Sequence, residues 1–201
     1  MSENNSADWN WNDYFDKVID PPMRETVGHA LEALGKGDGR QAVDLGCGSG
    51  NDTVHMVKAG FKVHAIDGSA DGLARLRARP DMQGHKNLTT EQSLYEIVKL
   101  PRNVWINAGF ALPFSKKDVF ERIWEHIYDR LEKGGVFSGQ LFGFNDTWHG
   151  KVADMNFHDM AGIERLLQKY TTLHLREEES DGTDAVGRPK HWHIYHIVIQ
   201  K

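Results

Sequence analysis

The segment Gln41-Ala-Val-Asp-Leu45, followed at once by Gly46-Cys-Gly-Ser-Gly50, limits the fold more than any other part of the chain. A short apolar run breaks into alternating glycines, and a helical pattern opens after them at Asn51. Glycines at a strand-to-helix turn let the backbone bend sharply and approach a ligand with no Cβ in the way. In an open α/β sheet, ligands bind past the carboxyl ends of the strands. Asp44 to Gly50 is therefore the expected floor of a binding site.

The flanking pattern supports an α/β reading. Pro21 and Pro22 open a helix over 23–34, with Val27, Ala30, Leu31 and Leu34 apolar, and Gly35, Gly37 and Gly39 end it. A helix is expected over 51–59. Phe61 to Ile66 alternates with the period of a strand and ends at Asp67-Gly68. Ser69 is placed to cap a helix over 70–78, which Pro80 closes. Strands are expected over 87–91 and 102–107. Ser115 is placed to cap a long helix reaching Leu131, which Lys133-Gly134-Gly135 ends. A strand over 136–142 and a helix over 158–170 follow. Strands over 171–177 and 192–199 finish the chain, joined by a polar loop over 178–190. Strands alternating with helices and ending in a hairpin specify a doubly wound α/β sheet. The chain has 201 residues, which suits one domain over 1–201. Residues 1–22 are expected to form an N-terminal arm or lid: Met1 to Ala7 is polar and expected to be loose, and Trp9, Trp11, Tyr14 and Phe15 follow it closely.

Composition removes several function classes. Lys and Arg total 24 against 29 Asp and Glu, a formal net charge of -5, which disfavours a polyanion binder, so no nucleic-acid partner is expected. The single cysteine excludes an intrachain disulfide framework and a multi-cysteine zinc site. No apolar run approaches the roughly 18 residues of a membrane helix, and the N-terminus lacks the basic start and apolar stretch of a signal peptide. A cytoplasmic protein with a small-molecule partner is the expectation. Oligomeric state is not legible.

The ligand follows from the acids. A dinucleotide fingerprint spaces its glycines G-x-G-x-x-G, but here Asn51 stands at the third fingerprint position. Asp44 precedes the loop and would repel a pyrophosphate. Both features weigh against a nicotinamide-dependent oxidoreductase. A cationic ligand with a ribose and no phosphate fits better, and S-adenosylmethionine is such a ligand. Asp67, ending the second strand beside the loop, can accept two ribose hydroxyls.

The segment Ala42-Val-Asp-Leu-Gly-Cys-Gly-Ser-Gly50, with Phe61-Lys-Val-His-Ala-Ile-Asp67 one helix later, resembles the first two motifs of the class I S-adenosylmethionine-dependent methyltransferases. Leu131-Glu-Lys-Gly-Gly-Val-Phe137 resembles their turn into the fifth strand. Within the class, the chain is similar to the small bacterial tellurite-resistance-type branch. The resemblance implies a Rossmann-like methyltransferase fold: a seven-stranded, mostly parallel sheet with an antiparallel last strand. It implies that Gly46, Gly48 and Gly50 line the methionine end of the cofactor, with Cys47 as a small filler among them. It implies that Asp44 supports the ammonium or the loop. Asp67, with Gly68 beside it, would bind the ribose. Ser93 and Leu94 would contact adenine, and Asn107 to Phe110 would lie beneath the transferable methyl. Trp11 and Tyr14 would cover the donor, and Arg24 would reach a carboxylate.

The acceptor is less legible. Asn107-Ala-Gly-Phe110 lacks the prolines of the Asn/Asp-Pro-Pro-Tyr-like motif that suits amino groups of DNA bases or glutamine amides. Phe110, Trp148, His149, Arg188, Lys190 and His191 are candidate acceptor contacts, and the cations among them suit an anionic acceptor. No catalytic residue is identified, because a donor with an activated methyl needs chiefly a positioned nucleophile. His191 and His193 share one strand face while His196 lies on the other, and no nearby carboxylate is apparent, so no metal site is expected. Two activities stay open: methyl transfer to a small molecule, and a non-catalytic S-adenosylmethionine-binding module.

Overall fold

The computed structural model describes residues 11–18, 21–185 and 187–201. The expectations for Met1 to Ala7 and for Trp9 lie outside these residues. Helix α1 (Trp11–Lys17) precedes α2 (Glu25–Leu34), β1 (Gln41–Leu45), α3 (Thr53–Lys58), β2 (Lys62–Asp67), α4 (Ala70–Ala78), β3 (Leu88–Gln92) and β4 (Asn103–Ala108). Then come α5 (Lys117–Arg130), β5 (Leu131–Gly143), β6 (Phe157–His158), α6 (Met160–Leu167), β7 (Thr171–Thr183) and β8 (Pro189–Gln200).

The strands form one sheet in the order β3-β2-β1-β4-β5-β8-β7, with β6 added beside β5. Strands β1 to β5 pair in parallel, and β8 runs antiparallel to both β5 and β7. The doubly wound, mostly parallel α/β fold with antiparallel terminal pairing is therefore present. The sheet has eight strands rather than seven, because β6 extends β5 at Phe142 and Gly143, beyond the end of β4.

Strand alternation assigns the two faces. Val43, Leu45 and Ile106 pack with Phe120, Ile123 and Trp124 of α5 and Ile163 of α6. Ala42, Val63 and Trp105 pack on the opposite face with Val27 of α2, Val54 of α3 and Leu73 and Leu76 of α4. Both faces of the central strands are thus dry, as parallel strands require. Asp44 and Asn107 belong to the second face by the same period of two.

Three local expectations change. Ser115 does not cap α5; its hydroxyl donates to the Leu112 carbonyl at 2.7 Å, and Lys116 occupies the cap position. The helix expected over 158–170 is shorter, because the Asp159 carboxylate accepts the Gly162 amide at 2.7 Å and starts α6 there. The loop expected over 178–190 is largely strand: pairing continues out to Thr183 and Pro189, leaving a five-residue connection over 184–188. Cross-strand partners such as Asp181 with His191 stabilise polar strands that hydrophobic patterning misses.

Candidate active site

A cavity of about 1090 Å³ follows the carboxyl edge of the sheet from β2 to β8. Its floor at the β1–β2 end is the glycine loop. The Asp67 carboxylate accepts the Gly48 amide on one oxygen and the Ser69 amide on the other, each at 2.7 Å. Burial raises the Asp67 pKa, while these two amides oppose the rise. Each oxygen keeps capacity for a second donor. Gly48 has φ of 51°, and a Cβ there would lie 2.9 Å from the Phe15 ring of α1. The loop, the end of β2 and the N-terminal arm are thus locked together. An ion pair from Asp16 to Arg75 at 2.7 Å also ties the arm to α4.

Between β1 and β4 stands a buried polar string. Asn107 donates through Nδ2 to Asp44 Oδ1 and to Asp52 Oδ2, both at 3.0 Å. Thr53 donates to Asp44 Oδ2 at 2.5 Å, and Arg24 donates to Asp52 Oδ1 at 2.5 Å. Burial, reinforced by the Asp52 charge, pushes the Asp44 pKa up to about 7. The string continues through Asn107 Oδ1, which accepts the Ser138 hydroxyl at 2.8 Å, to Trp105, whose Nε1–H donates to Ser138 at 2.8 Å. Gly109 makes room for this group: a Cβ there would lie 2.2 Å from Asp52 Oδ2. Phe110 follows at φ of 52°, a costly conformation for a bulky residue. Its amide donates to Gln140 Oε1 at 3.1 Å, and Gln140 donates to Thr26 at 2.9 Å, which holds the strained turn.

At the β5–β8 end the wall is aromatic. Phe114, Phe142, Trp148 and Trp192 form edge-to-face and tilted contacts with centroids 5.4–6.1 Å apart. Trp11 of α1 meets Phe114 edge to face at 5.1 Å, so the arm reaches this end too.

Trp11, Tyr14, Arg24, Asp44, Gly46, Cys47, Gly48, Asp67, Gly68, Ser93 and Leu94 all line the cavity, as do Phe110, Trp148 and Arg188. Five expected contacts do not reach its wall. Gly50 has φ of 85°, and the space a Cβ would take belongs to the Leu76 side chain of α4, so it serves helix packing. Asn107 is fully buried beneath the floor and acts through Asp44 and Asp52. His149 turns away, stacking on Phe144 at 4.8 Å and bonding the Phe144 carbonyl at 2.8 Å. Lys190 is buried and ion-paired with Asp146, with Nζ 3.7 Å from the Trp148 ring centre and 4.3 Å from that of Trp192. His191 lies on the hairpin face between Asp181, at 2.7 Å, and Glu179, at 3.3 Å.

The cations expected for an anionic acceptor are therefore engaged within the chain. Arg188 bonds Asp184 through Nε at 2.7 Å and through its amide at 2.9 Å. Arg24 meets the carboxylate of Asp52. The histidine expectation also changes, because β7 sets Glu177 and Glu179 close to His193. Nδ1 of His193 faces the Asn145 amide, which donates to it at 3.1 Å, so Nε2 carries the proton donated to Glu177 at 2.8 Å. Asp52, Tyr95, Asp184, Phe114, Phe142 and Trp192 join the wall without having been singled out, and Phe15 of the arm joins them. For Asp52 a signal existed: an acid two residues after the glycine loop.

Residues 42–135 match the family described as Methyltransferase domain. No curated protein matches the sequence. Among solved structures, TehB from Haemophilus influenzae superposes with a TM-score of 0.77 at 15% identity, covering 95% of this chain and 67% of that one. An S-adenosylmethionine-dependent methyltransferase from Mesorhizobium loti gives 0.63 at 19% identity, covering 87% and 96%. The 1,6-didemethyltoxoflavin-N1-methyltransferase of Burkholderia thailandensis, solved with 1,6-didemethyltoxoflavin and S-adenosylhomocysteine, gives 0.60 at 18% identity, covering 92% and 84%. Among the described residues, no helix is long and apolar enough to cross a membrane.

Proposed function

We propose that this chain is a class I S-adenosylmethionine-dependent methyltransferase and that it moves the methyl group onto a small molecule held at the β4–β8 end of the cavity, with residues 1–201 working as one domain. The observation that carries the reading is the division of one cavity into a carboxylate-lined glycine floor and an aromatic wall. The residues suit the cofactor. The space exceeds the roughly 300–1,000 Å³ of ordinary ligand sites, leaving room for a donor and an acceptor together. Asp44 offers negative charge to an ammonium, and Asp67 keeps acceptor capacity for ribose hydroxyls.

When bound, S-adenosylmethionine supplies a methyl on a sulfonium, which a lone pair of the acceptor takes as the carbon–sulfur electrons return to sulfur. The protein's part is positioning and exclusion of water. Asp67 fixes the glycine loop and orients the ribose. Asp44, held by Thr53 and Asn107, fixes the ammonium end. Gly68, Ser93 and Leu94 form the adenine side. Phe110, held at its strained φ by Gln140, marks the boundary between donor and acceptor. Trp11, Tyr14 and Phe15 of α1 cover the donor as a lid.

Isothermal titration with S-adenosylmethionine and S-adenosylhomocysteine tests the donor site; binding of neither would overturn the reading. Incubation with methyl-labelled donor and a metabolite panel then separates the enzyme from a binding module. Donor binding with no transfer to any acceptor would favour the module.

A further inference from the structure

We propose that the acceptor of this methyltransferase is a flat, uncharged, electron-rich aromatic molecule, stacked on the wall made by Phe114, Phe142, Trp148 and Trp192. The proposal rests on the donor reading above and specifies the other half of the same cavity. Three observations carry it, and the second and third each remove a competing acceptor class.

The first is position. Along the carboxyl edge, β2 and β1 carry Asp67 and the glycine loop, β4 carries Phe110, and β5 and β8 carry the aromatic wall. An acceptor on that wall meets the donor across Phe110, at the end of the single strand β4 that separates β1 from β5.

The second is charge. The cavity wall holds the carboxyl groups of Asp44, Asp52, Asp67, Glu96, Asp154 and Asp184 against the cations Arg24, Lys116 and Arg188. Arg24 and Arg188 are already bonded to carboxylates, at 2.5 Å and 2.7 Å. An anion entering here meets net negative charge, and pairing it with either arginine would strip a buried carboxylate of its partner. Net charge thus disfavours oxyanions and carboxylates, although the exposed Lys116 on the same wall has no carboxylate bonded to it among the described residues.

The third is the buried ammonium of Lys190. It lies over the rings of Trp148, Trp192 and Phe142 at 3.7, 4.3 and 5.7 Å, and it is absent from the cavity wall. A cation on a ring draws the π electrons toward itself. On this proposal the cavity side of that wall is poorer in electrons than rings with no ammonium behind them. It repels a second cation and favours the face or edge of an electron-rich ring. Asp146 secures the arrangement by accepting from the Trp148 amide at 2.9 Å while holding Lys190. The wall is thereby rigid before a ligand arrives, which lowers the ordering cost of binding a flat molecule.

The test is calorimetry on the full chain saturated with S-adenosylhomocysteine. Indole and 2-naphthol serve as flat, electron-rich probes, cyclohexanol as an apolar non-planar one, benzoate and selenite as anions, and phenyltrimethylammonium as a cation. Indole or 2-naphthol should bind at least tenfold more tightly than any other probe. Trp148→Ala and Trp192→Ala should each weaken that binding at least tenfold, and Trp148→Phe should retain most of it. Affinity for S-adenosylhomocysteine should stay within twofold in each variant, which also reports that the variant is folded. The proposal is overturned if benzoate, selenite, phenyltrimethylammonium or cyclohexanol matches the flat probes, if no flat probe binds at millimolar concentration, or if indole binding survives both alanine variants. Loss of S-adenosylhomocysteine binding by the unaltered protein would instead overturn the donor reading.

Discussion

Asp44→Asn isolates the charge at the donor floor. Burial and the neighbouring Asp52 raise the Asp44 pKa to about 7, so its carboxyl is only half ionised at neutral pH. If the ionised form receives the donor's ammonium, affinity must fall as that form is lost. Between pH 7 and pH 5 the ionised share drops from about one half to about one hundredth, a loss of roughly fiftyfold, or about 2.3 kcal/mol. Asparagine should hold affinity at the weak plateau at every pH. The replacement is structurally mild: the amide oxygen can still accept from Asn107, and the Thr53 hydroxyl can turn to accept from the new NH₂ group. Stability has the opposite sign. A carboxyl whose pKa is higher in the folded chain than in the unfolded one stabilises the fold fully below about pH 4, and that contribution is lost as pH rises toward 7. The variant should therefore match the parent's melting temperature below about pH 4 and exceed it at pH 8. Titrations with S-adenosylhomocysteine at pH 5, 6 and 7, paired with thermal melts, check both signs. A variant that keeps the parent's full pH slope would refute the assignment of the charge to Asp44.

Gly48→Ala should cost about 1–2 kcal/mol for the positive φ alone, and its contact with Phe15 should displace α1, so melts should drop by several degrees and donor affinity by tenfold or more. Asp67→Ala strands the Gly48 and Ser69 amides, so about 1–3 kcal/mol of stability and most donor affinity should be lost while circular dichroism still reports the same fold. Arg24→Met leaves the buried Asp52 carboxylate without its cation and should cost about 3 kcal/mol in denaturant unfolding. Adding Asp52→Asn to Arg24→Met should recover most of that cost, and a double variant as unstable as the single one would argue against the pair.

The glycine loop, Asp67 and the Ser69 cap were legible because each is specified locally. Ser69 lies three residues from the amide it accepts, and the loop needs glycine for reasons of backbone conformation. Phe110 at the end of β4 was legible for the same reason of place. Lys190 and His191 show where such reasoning stops. Their position in the chain suggested a cationic rim, but their partners come from distant segments: Asp146 for Lys190, and Asp181 and Glu179 across the hairpin for His191. A charge at a rim carries function only if nothing nearer neutralises it, and that is a property of tertiary pairing. The length of β7 and β8 was missed for a related reason. Glu179 and Asp181 read as a solvated loop until the histidines opposite them are known.

The aromatic wall depends on the reversed direction of β8. Asp67, Asp44 and Phe142 reach the cavity from the carboxyl ends of parallel strands, or close to them, whereas Trp192 arrives near the beginning of its strand. Only an antiparallel strand can place its first residues at that edge, so the terminal hairpin is part of the site and not a trailing ornament of the sheet. Its register must then be fixed, because a slip of two residues would keep the same face but put Ile194 or Lys190 in the place of Trp192. The loop after β5 supplies the fixing. Asp146 holds Lys190 through one oxygen and accepts the His193 amide through the other, while Thr147 and His191 exchange bonds of 3.1 Å and 2.9 Å. The same loop carries Trp148. One short segment therefore supplies half of the tryptophan pair and clamps the strand that supplies the other half, so the spacing of the two rings is set by bonds that no ligand has to make.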